Sequence, residues 1–105
     1  MRPLVRGRLS PATGAPESGE HSAVLARLGG AVVEHIVSGR LASPVEYRQD
    51  HDEWVVVLDG AAVLEVDDER VELGEGDWVL LPAHVVHRLV ETRPGTRWLA
   101  FHAPD

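Results

Sequence analysis

The chain has 105 residues, enough for one domain with one core, and carries 17 acidic residues against ten arginines, with no lysine and no cysteine. Those absences exclude Schiff-base catalysis, a P-loop, disulfides, thiolate nucleophiles and zinc–thiolate sites. A formal charge of −7 argues against a nucleic-acid backbone or an anionic membrane as partner, since both would be repelled.

Residues 1–20 hold three of the seven prolines, interleaved with Gly, Ser and Thr, and read as an extended arm. "PLVRGRL" within it is an alternative edge strand. Basic residues are present there without the apolar run of a signal peptide, and no run of about 18 apolar residues occurs anywhere, so a cytoplasmic protein is expected. "EHSAVLARLGG" is the one candidate helix: Val24, Leu25 and Leu28 sit at helical spacing, and Gly29-Gly30 ends it.

From Ala31 onward the chain reads as strands and turns. "AVVEHIVS", "VEYRQ" and "EWVVVLDG" come first, the last closing on an Asp-Gly turn. "AAVLEV" and "RVEL" come next, joined by a hairpin turn at Asp67-Asp68-Glu69. "GEGDWVLLP", "HRLVET" and "RWLAFH" complete about eight short strands spaced near ten residues, the pattern of an all-β sandwich or barrel. Closing the barrel would remove exposed edges. The expected organisation is an arm with one short helix over 1–30 and a barrel over 31–105.

Two segments carry a family resemblance. Glu53 is followed by six residues and Gly60; Gly76 is followed by "DWVLL", Pro82 and, beyond two further residues after His84, by His87. These resemble the two motifs of the cupins, small barrels of jelly-roll topology, over residues 31–102. Counting back from Glu53, the first-motif histidines fall on Tyr47 and Gln49. His84 replaces the second motif's second Gly, and Glu91 its Asn. The run "YRQDHDEW" with "PAHVVHR" and "WLAFH" is similar to a bacterial single-domain subgroup with no firmly assigned reaction. The fold class the resemblance implies is all-β, a cupin-type jelly-roll barrel with a short arm and at most one short helix.

The resemblance places Tyr47, Gln49, Glu53 and His87 together inside the barrel mouth. Strand alternation agrees in putting Tyr47 with Gln49 on one face, Glu53 with Val55 and Val57 on another, and His87 with Leu89 and Glu91 on a third. A Glu on a valine face is costly to bury without a partner. Three readings stay open. In the first, Glu53, His87, Gln49 and Tyr47 hold a divalent metal (Zn, Fe, Mn or Ni) for Lewis-acid or oxygen chemistry on a small substrate. In the second the pocket is metal-free and binds or senses a small molecule, or Tyr47, His87 and Glu53 act as catalytic groups in an acid–base isomerase or epimerase. In the third they form a satisfied internal network with no chemistry.

Of the other histidines, His35 reads as core or interface, His21 as solvent-exposed, His84 as a mouth residue and His51 as a turn residue bonded to its own backbone. His102 is assigned to the surface, with the pocket as the alternative. Trp54, Trp78 and Trp98 are expected to pack between sheets, with one of them lining the pocket as the alternative. The apolar faces opposite the pocket call for a cover, and a homodimer is the expected assembly.

Overall fold

The computed structural model describes residues 3–9 and 15–104. Among them, nine strands make two antiparallel sheets facing each other. They are β1 (Glu20–Leu28), β2 (Ala31–Ser38), β3 (Val45–Tyr47), β4 (Glu53–Asp59), β5 (Ala62–Val66), β6 (Glu69–Leu73), β7 (Trp78–Leu81), β8 (His87–Thr92) and β9 (Thr96–His102). One sheet has the order β1-β2-β9-β4-β7 and the other β3-β8-β5-β6. From β2 onward most consecutive strands switch sheets, as a jelly roll requires, and the fold is the all-β barrel expected. Among the described residues no helix is long and apolar enough to cross a membrane.

The helix expected over Glu20–Gly30 is instead β1, paired with β2 from Glu20↔Ser38 to Leu28↔Ala31. Gly29 and Gly30 both take positive φ, 56° and 91°. Two such residues in succession form the hairpin turn whose twist suits flanking strands, so the Gly pair that reads as a helix stop is a strand reversal. A bulge between Val24 and Ala26 breaks the strict alternation that would mark a strand. Asp67 and Asp68 turn β5 into β6 in the same way, with φ of 51° and 68°. "PLVRGRL" does not take the edge-strand alternative: residues 3–9 are largely exposed and belong to no strand.

The core lies between the sheets. Val55, Val57, Leu81, Trp98 and Ala100 from the first sheet meet Ala62, Leu64, Leu73 and Leu89 from the second. Burial alternates along β4 as buried Glu53, Val55 and Val57 against half-buried Trp54, Val56 and Leu58, the period-2 pattern of a strand with one face inward. One end of the barrel is pinned by Thr96, fully buried, whose Oγ1 donates to the Arg93 carbonyl at 2.6 Å and accepts from the Ala61 amide at 3.1 Å. Gly60, with φ of 105°, packs directly on Thr96, where a Cβ would collide, which is the local reason for Gly at this motif position.

Two tryptophans depart from the expectation. Trp98 is 4% exposed and in the core, but Trp54 and Trp78 lie on the outer face of the five-stranded sheet, Trp78 being 59% exposed. There Trp54 contacts Trp78 at 5.8 Å and Phe101 at 5.7 Å between ring centroids.

Candidate functional site

Inward-facing residues near the β3–β4 end of the barrel leave a cavity of about 300 Å³. Tyr47, Gln49, Glu53 and His87 all line it. Tyr47 and His87 are register partners across β3 and β8, and their rings stack at 5.4 Å with 18° between planes. Glu53 enters from β4 in the opposite sheet, 7% exposed. Glu91, expected to share the His87 face, is exposed. The β5–β8 register shifts between Val63 and Leu64, so Val90 is an extra residue on β8 and re-aims the side chains beyond it.

Four further polar residues line the cavity, Glu20, Ser22, Glu34 and His102. The alternation of β2 carries the signal for Glu34: Glu34 and Ile36 point in, Val33, His35 and Val37 point away. Glu34 is thus a carboxylate on an apolar inward face, the same anomaly that singles out Glu53. Glu20 was hidden by the helical reading of β1. His102 lies on the cavity side rather than at the surface, its side chain 19% exposed.

The polar groups are arranged by hydrogen bonding. Glu20 accepts from the Tyr47 hydroxyl at 3.2 Å and from Ser38 Oγ at 2.6 Å, and Ser38 Oγ accepts from Trp98 Nε1 at 2.9 Å. Burial first, then Glu20, push the Tyr47 phenol up to about 12, so it stays protonated. His102 Nε2 lies 3.0 Å from Glu34 Oε1 and its Nδ1 lies 3.0 Å from His51 Nε2. A carboxylate only accepts, so His102 carries a proton on Nε2; on a neutral ring its Nδ1 then accepts from His51 Nε2–H. His51 is therefore bonded to His102, and not within its own turn as expected. The outer histidines sit elsewhere: His84, 63% exposed in its side chain, is 3.8 Å from Asp50 at the rim, and His35 is buried on the face away from the cavity.

Glu53 stands apart. Its side chain is 9% exposed, no described residue donates a hydrogen bond to it, and His102 Nε2 is 3.9 Å away. Gln49 Oε1 and His87 Nδ1 are fully buried without partners. A native core leaves few such groups.

These donors suit a resident metal poorly. The Tyr47 phenol is held neutral and spends its proton on Glu20. A ligating imidazole normally gives its second nitrogen to an orienting partner, and His87 Nδ1 has none. Among the described residues no group of three or more His, Cys, Asp or Glu is placed to hold an ion.

The sequence of residues 32–101 matches the model of the cupin domain family. No curated protein matches the chain. Among solved structures, a protein from Ralstonia eutropha JMP134, described provisionally as a mannose-6-phosphate isomerase, is 31% identical over 94% of this chain and 100% of its own, with a TM-score of 0.78. A cupin superfamily protein from Desulfitobacterium hafniense DCB-2 is 25% identical over 97% of this chain and 95% of its own, at a TM-score of 0.75. An RmlC-like cupin from Shewanella frigidimarina NCIMB 400 shares the fold at 19% identity and a TM-score of 0.73, over 95% of this chain and 93% of its own. Two sheets in jelly-roll order, both motif segments at the cavity and a family match across two thirds of its length place this chain in the cupin family.

Proposed function

We propose that this cupin is a cytoplasmic barrel that binds a small organic molecule in the Glu53 cavity without a resident metal. The observation that carries this reading is the Glu53 carboxylate, buried at the cavity wall with no hydrogen-bond donor of its own among the described residues. A carboxylate on an otherwise apolar inward face costs folding free energy, and a ligand that donates to it offsets that cost. Gln49 Oε1 adds a second unsatisfied acceptor.

The chemistry available to a bound molecule is proton transfer. Glu53 is the group available as acceptor; the Tyr47 hydroxyl gives its proton to Glu20, and His87, stacked on Tyr47, fixes the phenol's position. Isomerisation of a sugar phosphate, the activity provisionally given to the Ralstonia eutropha relative, does not transfer readily. Its phosphate would enter a cavity with three carboxylates and, among the described lining residues, no arginine. The outer face bearing Trp54, Trp78, Leu80 and Phe101 is the surface on which two copies pair.

The test is thermal melting of chelator-treated protein with Zn²⁺, Mn²⁺, Fe²⁺ and Ni²⁺ added in turn, beside elemental analysis of untreated protein. The reading expects substoichiometric metal and melting temperatures unchanged by the ions. Stoichiometric metal, with a melting gain of several degrees that Glu53→Gln removes, would replace it with a metal site at Glu53, His87 and Gln49.

A further inference from the structure

The charge of the cavity lining is one-sided. Tyr47 and Ser38 both spend their hydroxyl protons on Glu20, and Trp98 spends its indole N–H on Ser38. His102 spends its Nε2 proton on Glu34. Glu53 is left without a donor of its own among the described residues, while Ser22, Gln49 and His87, which can donate as well as accept, line the same space. The lining carries three carboxylates, Glu20, Glu34 and Glu53, and no Arg among the described residues. The excess of carboxylates therefore favours a ligand that carries positive charge and hydrogen-bond donors, and negative charge on it is repelled. The remaining wall is apolar, with Trp98, Leu64, Leu89 and Ile36 facing the same space.

We infer that the cavity selects a small organic cation: an alkylammonium group seated against Glu53 and Glu34, with its hydrocarbon part on Trp98, Leu64 and Leu89. An ammonium offers three donors and one positive charge on a small head, which answers the Glu53 carboxylate and the charge of the lining together. His102, on the same cavity wall with its Nε2 3.0 Å from Glu34 and 3.9 Å from Glu53, sets the two carboxylates relative to each other and is itself braced by His51. The inference rests on the cavity being a ligand site, and it names what that ligand carries.

Three probes of one shape and different charge separate the possibilities: 3-methylbutylamine, 3-methylbutan-1-ol and 3-methylbutanoate. Each is titrated at pH 7 into chelator-treated, ¹⁵N-labelled full-length protein, and the shifts of amides around Gln49, Glu53 and His87 are followed. The amine is expected to bind at least about tenfold more tightly than the alcohol, and the carboxylate to give no saturable shift. Glu53→Gln, and independently Glu34→Gln, should remove the amine's advantage while leaving the alcohol's affinity in place. Alcohol or carboxylate binding as tightly as the amine in the wild-type protein overturns the inference and leaves the cavity a ligand site. Absence of any saturable shift with all three probes overturns both.

Discussion

The Tyr47 hydroxyl donates to Glu20 Oε1 across 3.2 Å, linking β3 of the four-stranded sheet to β1 of the five-stranded sheet over the cavity. Residues 27 positions apart in sequence are thereby coupled electrostatically, and the coupling has a direct optical readout. Tyr47 is the chain's single tyrosine. Phenolate absorbance near 295 nm (on the flank of the tryptophan band) should therefore titrate with a midpoint at about 12 rather than the usual 10.0. Glu20→Gln should lower that midpoint only part of the way, because burial is the larger cause. With the folded value above the unfolded one, the stability this phenol contributes is intact below pH 10 and is lost as the pH rises toward 12. A wild-type midpoint near 10 would show that the phenol is solvated and the link open.

His35 gives the opposite dependence at acid pH. Burial first, then the Arg97 guanidinium, hold its imidazole below 6.5, and Asp59 opposes them. A buried neutral histidine is protonated more easily in the unfolded chain. Its contribution is therefore complete above about pH 6.5 and is lost as the pH falls through the depressed folded value. Urea unfolding across pH 7 to pH 5 should show wild-type stability falling more steeply than that of His35→Phe. Parallel curves would remove His35 as a source of acid sensitivity.

The outer face of the five-stranded sheet predicts assembly. Trp78 and Leu80, at the edge strand β7, are 59% and 56% exposed. Exposed apolar side chains gathered on one face mark an interaction surface. Sedimentation should give wild-type protein twice the 11.5 kDa chain mass, and Trp78→Glu with Leu80→Glu should give the chain mass with an unchanged far-ultraviolet spectrum. Each substitution should alter monomer stability by no more than about 0.5 kcal/mol, the usual range for exposed positions. A wild-type monomer would leave this face unpaired.

Much of the barrel was legible because strand patterning is local. β2, β4, β5 and β8 fall where the apolar alternation and turn residues place them, and Tyr47, Gln49, Glu53 and His87 do share one cavity. The failures arose where one local signal serves two structures. Val24, Leu25 and Leu28 suit a helix by spacing, yet the pairing of β1 with β2 and the Gly29-Gly30 reversal, both tertiary facts, make that segment a strand. With β1 misread, Glu20 could not be seen as part of the site. The bulge at Val90 exposed Glu91, since one extra residue inverts the faces beyond it. Trp54 and Trp78 were drawn to the core by their size, although alternation already put Trp54 opposite Glu53. Glu34 was readable: a carboxylate alternating with Ile36 on an inward face carries the same information as Glu53 among valines.

Glu53 allows the sharpest measurement. Equilibrium urea unfolding of metal-free wild-type protein should be compared with Glu53→Gln and Glu53→Met. If this carboxylate is kept for a ligand, removing its charge relieves the fold, and both variants should gain about 1–2 kcal/mol in stability while losing the ligand. A loss of about 2 kcal/mol or more in both would mean that Glu53 is a member of a satisfied structural network, and that the cavity around it exists for folding rather than for binding.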